Sequence, residues 1–474
     1  MTGTNPLTRA RKKQALAFFQ AKQLGEAKKL YAEVCKLDRR DADAWKMLGA
    51  IHGMLAEYAE AENCCRQEIA LQPGSVGGYN NLGNALKFQG KPGEAETAYR
   101  QALQLQPGYA EGYNNLGNLL KGQGKMEEAT NCYRRALQLQ PNYPEACNNL
   151  AGLLRTQNKN DEALACYVHA LQLNPAYVDA RFNLGTLMYL QGKNDEAQAC
   201  FQQVLQQAPT HAEALMHLGG IYKTKGLLDE AKALFRRVKE IKPDENARYM
   251  LATLGAEEMP VQSPGEYVKE LFDGYAENFD VHLTKDLSYR TPEKLFDALL
   301  PVLDLEAREL DVLDLGCGTG LCGPLFRNLA RRLVGVDLSP RMLEMARKRN
   351  MYDDLLLGDV TLPLSTSPAA YDLILSTDVF IYIGDLQRVF ELAQEALRGG
   401  GVFAFSTETA EDGEGYTLRE SGRYAHALGY IRSLASRVGL SEVSIEIVEL
   451  RQEAGKPVLG NIFILRKSGE SDAG

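Results

Sequence analysis

A glycine-rich segment in the second half of the chain has the residue types and spacing of a nucleotide site. The apolar run DVLDL at residues 311–315 leads directly into GCGTG at residues 316–320. Glycines at such a turn adopt backbone angles that other residues avoid, and they let a ligand approach the main chain closely. A second apolar run ends at Asp337, where an acidic residue can accept both hydrogen bonds of a ribose diol. The pattern predicts that a nucleoside binds where these two strands end.

The spacing of the glycines separates two kinds of nucleotide site. The dinucleotide fingerprint has the pattern G-x-G-x-x-G, but Leu321 occupies its sixth position here. A pyrophosphate would also use the helix N-terminus as its anion site, whereas a sulfonium nucleoside is cationic and suits a more acidic pocket. The sequence therefore favours a sulfonium nucleoside, with a nicotinamide dinucleotide as the alternative.

Short apolar runs alternate with amphipathic helices around this segment, and this alternation predicts a mostly parallel sheet. Two helices are predicted within residues 267–300, before the first strand. The elements predicted after residue 337 are strands ending at 359, over 371–376 and over 402–406, a helix over 424–438, and strands near 444–450 and 460–465.

Residues 267–467 resemble a class I S-adenosylmethionine-dependent methyltransferase. The glycine segment matches the first motif of that family, Asp337 the second and Asp359 the third, and the corner at Thr377 and Asp378 matches the fourth. The resemblance implies a Rossmann-like α/β domain with S-adenosyl-L-methionine as its cofactor. No metal site is expected, because the nine cysteines form no C-x-x-C pair.

The resemblance also implies which residues hold the cofactor. The main chain of residues 316–318 would hold the methionine part, with Asp314 helping its ammonium, and Asp337 would bind the ribose. Leu338 would pack on the adenine, and residues 359–360 would recognise its edge. The implied cofactor-binding residues are Tyr275, Tyr289, Asp314, Gly316, Cys317, Gly318, Asp337, Leu338, Asp359, Val360 and Thr377.

A segment at residues 271–292 resembles the N-terminal cap of many small-molecule methyltransferases. By this resemblance Tyr275, Phe279 and Tyr289 would cover the cofactor. His282 also lies on this cap, where a surface position is the favoured interpretation.

The catalytic residues are predicted from the position of the strands. Methyl transfer from a sulfonium mainly requires alignment of the nucleophile, and a base is needed only where the nucleophile must lose a proton. His426 is predicted as this base or as a substrate ligand, with Tyr424 beside it, because both follow the strand whose C-terminal end borders the substrate in open α/β sheets. Asp378 is a further candidate, with a helix N-cap or a partner that orients another residue of the site as its alternative role.

The first half of the chain repeats every 34 residues. Prolines occupy positions 73, 107, 141, 175, 209 and 243, and this period is the length of a tetratricopeptide repeat. Leu-Gly or Leu-Ala pairs, alanines and aromatic residues recur at further fixed positions, so that small and large residues interlock between the two helices of each unit. The sequence predicts an all-α superhelical solenoid of about seven repeats over residues 8–245.

One asparagine per repeat precedes the Leu-Gly pairs, at Asn81, Asn115, Asn149 and Asn183. This row resembles the asparagine ladder of the O-linked N-acetylglucosamine transferase superhelix, whose amides hold the backbone of an extended peptide. An amide suits that role because it has both donors and acceptors. The alternative is that each asparagine only fits a capping or inter-repeat bond. A second row, at residues 80, 114 and 148, is attributed to repeat duplication and receives no role.

Composition limits the boundaries and the partners. A linker is predicted at residues 246–266 and a disordered tail at 468–474. The net charge of -9 disfavours nucleic acid as a partner. The N-terminus lacks a signal pattern, and no apolar run reaches the roughly 18 to 20 residues of a membrane span. We therefore expect no membrane insertion and a cytoplasmic location, while the oligomeric state is open.

Three functions are compatible with these patterns. In the first, the repeat groove captures an extended polypeptide and presents its acceptor to the methyltransferase domain. In the second, the enzyme methylates a metabolite or natural product, and the repeats only recruit partners. In the third, the domain binds the cofactor without turnover and the chain is a scaffold.

Overall fold

Paired helices fill the first half of the chain, as the 34-residue period predicts. The computed structural model describes residues 6–277, 279–303, 309–410, 413, 415–453 and 455–469. The helices of this half are α1 (Pro6–Gln20), α2 (Leu24–Leu37), α3 (Ala42–Met54), α4 (Tyr58–Leu71), α5 (Val76–Phe88), α6 (Pro92–Leu105), α7 (Ala110–Gly122), α8 (Met126–Leu139), α9 (Pro144–Thr156), α10 (Asn160–Leu173), α11 (Val178–Leu190), α12 (Asn194–Gln207), α13 (Ala212–Thr224), α14 (Leu228–Ile241) and α15 (Glu245–Thr253).

Small and large side chains interlock within each helix pair. A β-carbon placed on Gly83 of α5 would lie 2.6 Å from the ring of Tyr99 on α6, and the same construction at Gly117 gives 2.7 Å to Tyr133. Glycine therefore lets the two helices approach closely. The odd-numbered helices, called A helices below, also contact one another from α3 to α11. The predicted solenoid is confirmed, and its A helices form one continuous face.

The chain divides into two units, residues 1–221 and 222–474. The second unit contains α14, α15 and the sheet described below. Within this unit, the hydroxyl of Tyr249 on α15 donates to the carbonyl of Gly422 and accepts a 2.8 Å hydrogen bond from Ser263. The segment at 246–266, predicted as a linker, thus includes most of α15 and buried contacts. Of the tail predicted at 468–474, residues 470–474 lie outside the described residues.

The second unit contains a mixed sheet between two layers of helices. Its described strands are β1 (Leu310–Leu315), β2 (Ala330–Asp337), β3 (Asp354–Leu357), β4 (Tyr371–Ser376), β5 (Leu397–Thr409), β6 (Tyr416–Leu418), β7 (Tyr424–His426), β8 (Leu440–Glu453) and β9 (Lys456–Lys467). The strand order is β3-β2-β1-β4-β5-β7-β6, with β9 pairing antiparallel to β5 and β8 to β9. The pairs from β3 to β5 are parallel, so their carboxyl ends share one edge of the sheet.

Helices cover both faces of this sheet. They are α16 (Gly265–Tyr275), α17 (Phe279–Val281) with a π-helical turn (His282–Asp286), α18 (Thr291–Leu299), α19 (Gly323–Phe326), α20 (Pro340–Arg349), α21 (Thr361–Thr366), a 3-10 turn (Phe380–Tyr382), α22 (Gln387–Ala396) and α23 (Leu428–Val438). Along β1, Leu313 and Leu315 enter one apolar core and Val312 enters the other. The predicted α/β domain is confirmed.

One predicted element differs from the structure. The helix predicted over 424–438 begins only at Leu428, because Tyr424–His426 forms β7 between β5 and β6. His426 pairs with Thr409 of β5 and Tyr416 of β6, so strand pairing fixes this segment in an extended form. The difference changes the surroundings of both residues that were predicted to be catalytic.

Candidate active site and groove

The glycine turn after β1 is held open by the carboxylate at the end of β2. Gly316 and Gly318 have φ angles of +67° and +54°, which favour glycine. Asp337 accepts hydrogen bonds from the backbone amides of Gly318 (2.9 Å) and Ser339 (2.8 Å), one on each oxygen. Each carboxylate oxygen has a second acceptor site, so Asp337 can fix the turn and still bind a diol. The structure therefore brings together the glycine turn and Asp337, both of which were predicted to bind a nucleoside.

A buried carboxyl group, that of Asp314, lies near the end of β1. Asp314 is 1% exposed; its Oδ2 accepts a 2.6 Å hydrogen bond from the hydroxyl of Tyr352, while its Oδ1 has no partner among the described residues. Burial is the main cause that raises the pKa of Asp314 to about 7. The site therefore holds a carboxyl group that would be stabilised by a cation at Oδ1.

The raised pKa of Asp314 leads to a test on the protein without ligand. Above pH 7 the folded protein must bury an ionised Asp314, whereas the unfolded chain ionises this group at about pH 4 at no such cost. Asp314→Asn is therefore expected to increase the free energy of unfolding at pH 8 by up to about 4 kcal/mol. The gain should shrink as the pH falls from 7 to 4. Urea unfolding at several pH values measures it, and a gain independent of pH would contradict the assignment. Asp354→Asn, on the surface, is the matched control.

Aromatic residues of the cap cover the glycine turn. The ring of Phe279 lies 3.9 Å from the position of a β-carbon on Gly318, and it packs edge-on against Tyr275 with centroids 5.5 Å apart. Asp280 accepts hydrogen bonds from Thr319 and Arg349, which tie the cap to the turn. The structure thus brings the predicted Tyr275 and Phe279 to the glycine turn.

Tyr289 reaches the site from the other side of the cap. It is 7% exposed, and its hydroxyl is hydrogen-bonded to Thr377 at the end of β4. Burial and the negative charge of Asp378 raise its pKa well above the ordinary value. Thr377 also lies 3.6 Å from the sulfur of Cys322. The structure therefore brings together Tyr289 and Thr377, two of the residues predicted to bind the cofactor.

Asp378 belongs to a buried network of charged groups. Its Oδ2 accepts a 3.0 Å bond from Arg451, and its Oδ1 and backbone amide both bond to Ser406. Arg451, which is 3% exposed, also donates to Glu408 and Glu453. Three carboxylates surround one guanidinium, and Asp378 itself has a left-handed backbone with φ of +55°. This arrangement gives Asp378 neither the helix-cap role nor a free carboxylate that could act as a base.

His426 and Tyr424 do not join the site. Both are fully buried, and the Nε2 of His426 donates to the carbonyls of Ile383 (3.0 Å) and Gly384 (3.1 Å). Burial lowers the pKa of His426 to about 4. The hydroxyl of Tyr424 donates to the carbonyl of Pro260 at 2.8 Å. The geometry does not support the predicted catalytic roles, because the Nε2 of His426 and the hydroxyl of Tyr424 bond to the backbone of neighbouring loops, while the Nδ1 of His426 is buried and has no partner among the described residues.

The predicted adenine-binding residues lie near the end of β3. Asp359 is exposed, and one of its oxygens accepts hydrogen bonds from the amide and hydroxyl of Thr361. Val360 is buried and Leu338 is half-buried. The amide of Gly358 donates to the carbonyl of Asp337 at 3.0 Å, so the two strand ends are adjacent. Their contact with an adenine stays a prediction.

The polar atoms left without partners fit the cofactor that the sequence implies. Among the described residues, the buried atoms without a hydrogen-bond partner include Asp314 Oδ1, the Tyr275 hydroxyl and His282 Nδ1. Buried polar groups are nearly always paired in a functional complex. An amino-acid nucleoside has an ammonium for Asp314 and oxygens for donor groups, and its diol suits Asp337. The residues present therefore fit S-adenosylmethionine.

The asparagines of the solenoid form bonds between consecutive repeats. Asn115 donates from its Nδ2 to Oδ1 of Asn80 at 3.0 Å. The same bond recurs from Asn149 to Asn114 at 2.9 Å and from Asn183 to Asn148 at 3.0 Å. The first row is half-buried, and the second row is buried. The second row, which received no role from the sequence, fixes the orientation of the first.

The bonded rows leave part of each amide available. An Nδ2 group has two hydrogens, and the inter-repeat bond uses one of them. The second hydrogen and the Oδ1 of Asn115, Asn149 and Asn183 have no protein partner among the bonds of the described residues. Each ladder amide can therefore donate and accept at the same time, as recognition of a peptide backbone requires.

Several residues of these sites were missed by the sequence analysis. Tyr352 lies 38 residues from its partner Asp314, and Arg451 lies 73 residues from Asp378. Neither residue belongs to a motif. The one available signal was the alternation of charged residues at 449, 451 and 453.

Family models match both halves of the chain. Residues 313–405 match the model of a methyltransferase domain. Residues 77–109, 110–143, 151–192 and 191–254 match models of tetratricopeptide repeats.

Curated relatives match the second half. A malonyl-[acyl-carrier protein] O-methyltransferase of Acetivibrio thermocellus is 31% identical over 139 residues, which are 29% of this chain and 47% of the relative. The enzyme of the same name from Serratia marcescens is 35% identical over 121 residues, or 24% of this chain and 47% of the relative. An 18S rRNA (guanine-N(7))-methyltransferase of Bos taurus is 40% identical over 65 residues, or 14% of this chain and 23% of the relative. The chain spans less than half the length of each of these relatives.

Solved structures match the repeat half. Pseudomonas aeruginosa pilF is 22% identical with a TM-score of 0.41, covering 44% of this chain and 96% of that one. YrrB, described as a TPR protein with an unusual peptide-binding site, is 26% identical with a TM-score of 0.33, covering 39% of this chain and 94% of that one.

Two classes of feature are absent from the described residues. None of their helices combines the length and apolar character needed to cross a bilayer. No group of three or more His, Cys, Asp or Glu side chains among them is arranged to hold a metal ion.

Proposed function

We propose that this chain, which joins tetratricopeptide repeats to a methyltransferase domain, transfers a methyl group from S-adenosylmethionine to a polypeptide bound along its repeats. When bound, the cofactor supplies a methyl group activated by a sulfonium. The observation that carries the cofactor assignment is Asp337, whose two oxygens accept from the amides of Gly318 and Ser339. This pair of bonds preforms the turn and keeps acceptor sites free for a ribose.

The residues of the domain have distinct tasks in this proposal. Asp314 accepts the ammonium of the cofactor at its unpartnered Oδ1. Phe279 and Tyr275 cover the turn and exclude water, while Tyr289 and Thr377 border the reacting end. Asp378 is held by Arg451 and acts as a positioning residue for this corner. No base is assigned, because methyl transfer to a neutral nucleophile needs only alignment and a proton path to solvent.

The polypeptide acceptor is supported by the ordered amides of the solenoid. Amides that all point in one direction offer a repeating donor and acceptor pattern, which matches an extended main chain of any sequence. Capture along the groove raises the local concentration of the acceptor for the domain on the same chain. The inter-repeat bond that was the alternative role is present at Asn115, Asn149 and Asn183, but it uses only one Nδ2 hydrogen of each amide and leaves one donor and one acceptor for a ligand.

The ladder is tested with Asn115→Ala combined with Asn149→Ala. We expect transfer of a tritiated methyl group from the cofactor to proteins of a host lysate to fall about thirtyfold, since the two amides contribute about 1 kcal/mol of hydrogen bonding each. Calorimetric affinity for S-adenosylmethionine should stay unchanged. Asn160→Ala combined with Asn194→Ala, at the starts of α10 and α12, is the matched control. Undiminished protein labelling in the ladder variant would exclude peptide capture by these amides.

A second candidate function is methylation of a small carboxylic acid, either attached to a carrier protein or free. It is favoured by the two relatives that are malonyl-[acyl-carrier protein] O-methyltransferases, and by the resemblance of the cap to small-molecule enzymes. In the same experiment this function predicts label in the organic extract, unaffected by the asparagine substitutions. Binding of the cofactor without transfer to either fraction would indicate the scaffold.

A further inference from the structure

A row of basic side chains follows the asparagines along the A helices. Lys87, Lys121 and Arg155 each stand seven residues after a second-row asparagine, at 80, 114 and 148. Because seven residues make two helical turns, each cation lies on the same stripe of its helix as that asparagine. Lys121 extends toward the next repeat, where its Nζ lies 3.9 Å from the position of a β-carbon on Gly152. The three cations therefore form one edge of the groove, called the basic edge below.

The cations of the basic edge lack carboxylate partners. In the described part of the chain, no ion pair involves Lys87, Lys121 or Arg155, and the Nζ of Lys87 lies 4.5 Å above the ring of Phe88. Burial lowers the pKa of Lys87, which shows that its ammonium is partly removed from water.

The even-numbered helices, called B helices below, are different, because several of their cations pair with a glutamate of the next B helix. Arg66 pairs with Glu94, Arg100 with Glu128 and Arg134 with Glu162, at 3.1 to 3.3 Å. Lys91 and Lys125 also have glutamate partners. These five cations on the B helices and at their starts have internal carboxylate partners, whereas those of the basic edge are left for an external anion.

The opposite edge of the groove is acidic. Glu111, Glu145 and Asp179 are exposed near the starts of α7, α9 and α11. Ten residues separate Glu111 from Lys121, which corresponds to about 15 Å along a helix. A strand of nucleic acid carries negative charge along its whole length and would meet both edges. An extended peptide directs successive side chains to opposite sides, so it can present carboxylates to one edge only.

We infer that the groove binds an acidic, extended polypeptide segment, with its main chain on Asn115 and Asn149 and its carboxylates on the basic edge. The inference rests on the proposed function for its biological meaning and adds the chemical class of the substrate. Specificity then comes from charge, while the amides supply affinity that is independent of sequence.

The test measures binding to the full chain without cofactor, by fluorescence anisotropy of a labelled Glu-Ser repeat peptide. The variant Lys87→Gln, Lys121→Gln, Arg155→Gln is expected to weaken this binding about tenfold to a hundredfold. Its matched control is Lys91→Gln, Lys125→Gln, Arg134→Gln, which changes the net charge equally on the B helices and is expected to weaken binding less than about threefold. Added salt should weaken binding to the unaltered chain.

Three results would overturn the inference. They are equal weakening in both variants, equally tight binding of a Gln-Ser repeat peptide, or displacement of the acidic peptide by oligothymidylate at similar concentration. Thermal unfolding shows whether each variant is folded. Because the titration contains no cofactor, its outcome is independent of methyl transfer. Failure of the methyltransferase proposal would instead appear as absent S-adenosylmethionine binding in the unaltered chain.

Discussion

Replacing Asp337 with alanine is expected to weaken S-adenosylmethionine binding by two to three orders of magnitude, about 3–4 kcal/mol. The carboxylate accepts from the amides of Gly318 and Ser339, so the substitution loosens the turn that faces the ligand. It also removes the acceptor proposed for the ribose diol. Hydrogen bonds to a charged group contribute about 1.5–3 kcal/mol each, and part of the loss is offset by water.

Isothermal titration calorimetry with S-adenosylmethionine and with its demethylated product measures this loss. Asp354→Ala is the control, because Asp354 lies on β3 in the same domain but is exposed and pairs with Arg332 at 2.7 Å. An affinity of Asp337→Ala within about threefold of the unaltered protein would remove the cofactor assignment.

The second large effect is expected on stability, from Arg451→Met. This change removes the cation that pairs with Asp378 and leaves Glu408 with Arg419 alone, and a buried charge that loses its partner costs about 3–5 kcal/mol. Methionine has a similar length, so little of the loss comes from packing. Denaturant unfolding should show this decrease at pH 7.

Two further variants separate the charge effect from a packing effect. Arg332→Met removes an exposed ion pair and should cost less than about 1 kcal/mol. Adding Glu408→Gln and Asp378→Asn to Arg451→Met should recover part of the stability, because the stranded carboxylates become neutral. If the triple variant is no more stable than Arg451→Met, the loss is due to packing.

Local patterns predicted the parts of the fold that depend on neighbours in sequence. The 34-residue period identified the solenoid, since each repeat packs mainly on the next. The glycine turn and Asp337 were found because a strand, a turn and the next strand are close in the chain. The pairing of Tyr352 with Asp314 was not found, because it depends on how the segment between α20 and β3 packs against β1 in the folded domain.

His426 shows why the catalytic prediction was less successful. Its position after β5 suggested a place beside the substrate, but the sequence did not reveal that Tyr424–His426 forms a short strand between two others. Strand pairing turns the ring toward the carbonyls of Ile383 and Gly384. The burial of His426 depends on tertiary packing, and this packing cannot be predicted from the residues adjacent to it in sequence.

The amide bonds between repeats have the same donor, acceptor and offset of 35 residues at each of the three described steps. Whole units of 34 residues could therefore be inserted or excised without disturbing the remaining bonds. Each inserted unit would lengthen the row of ladder amides by one fixed increment. The solenoid would then act as a molecular ruler, because the number of its repeats sets the length of the polypeptide segment that it can bind.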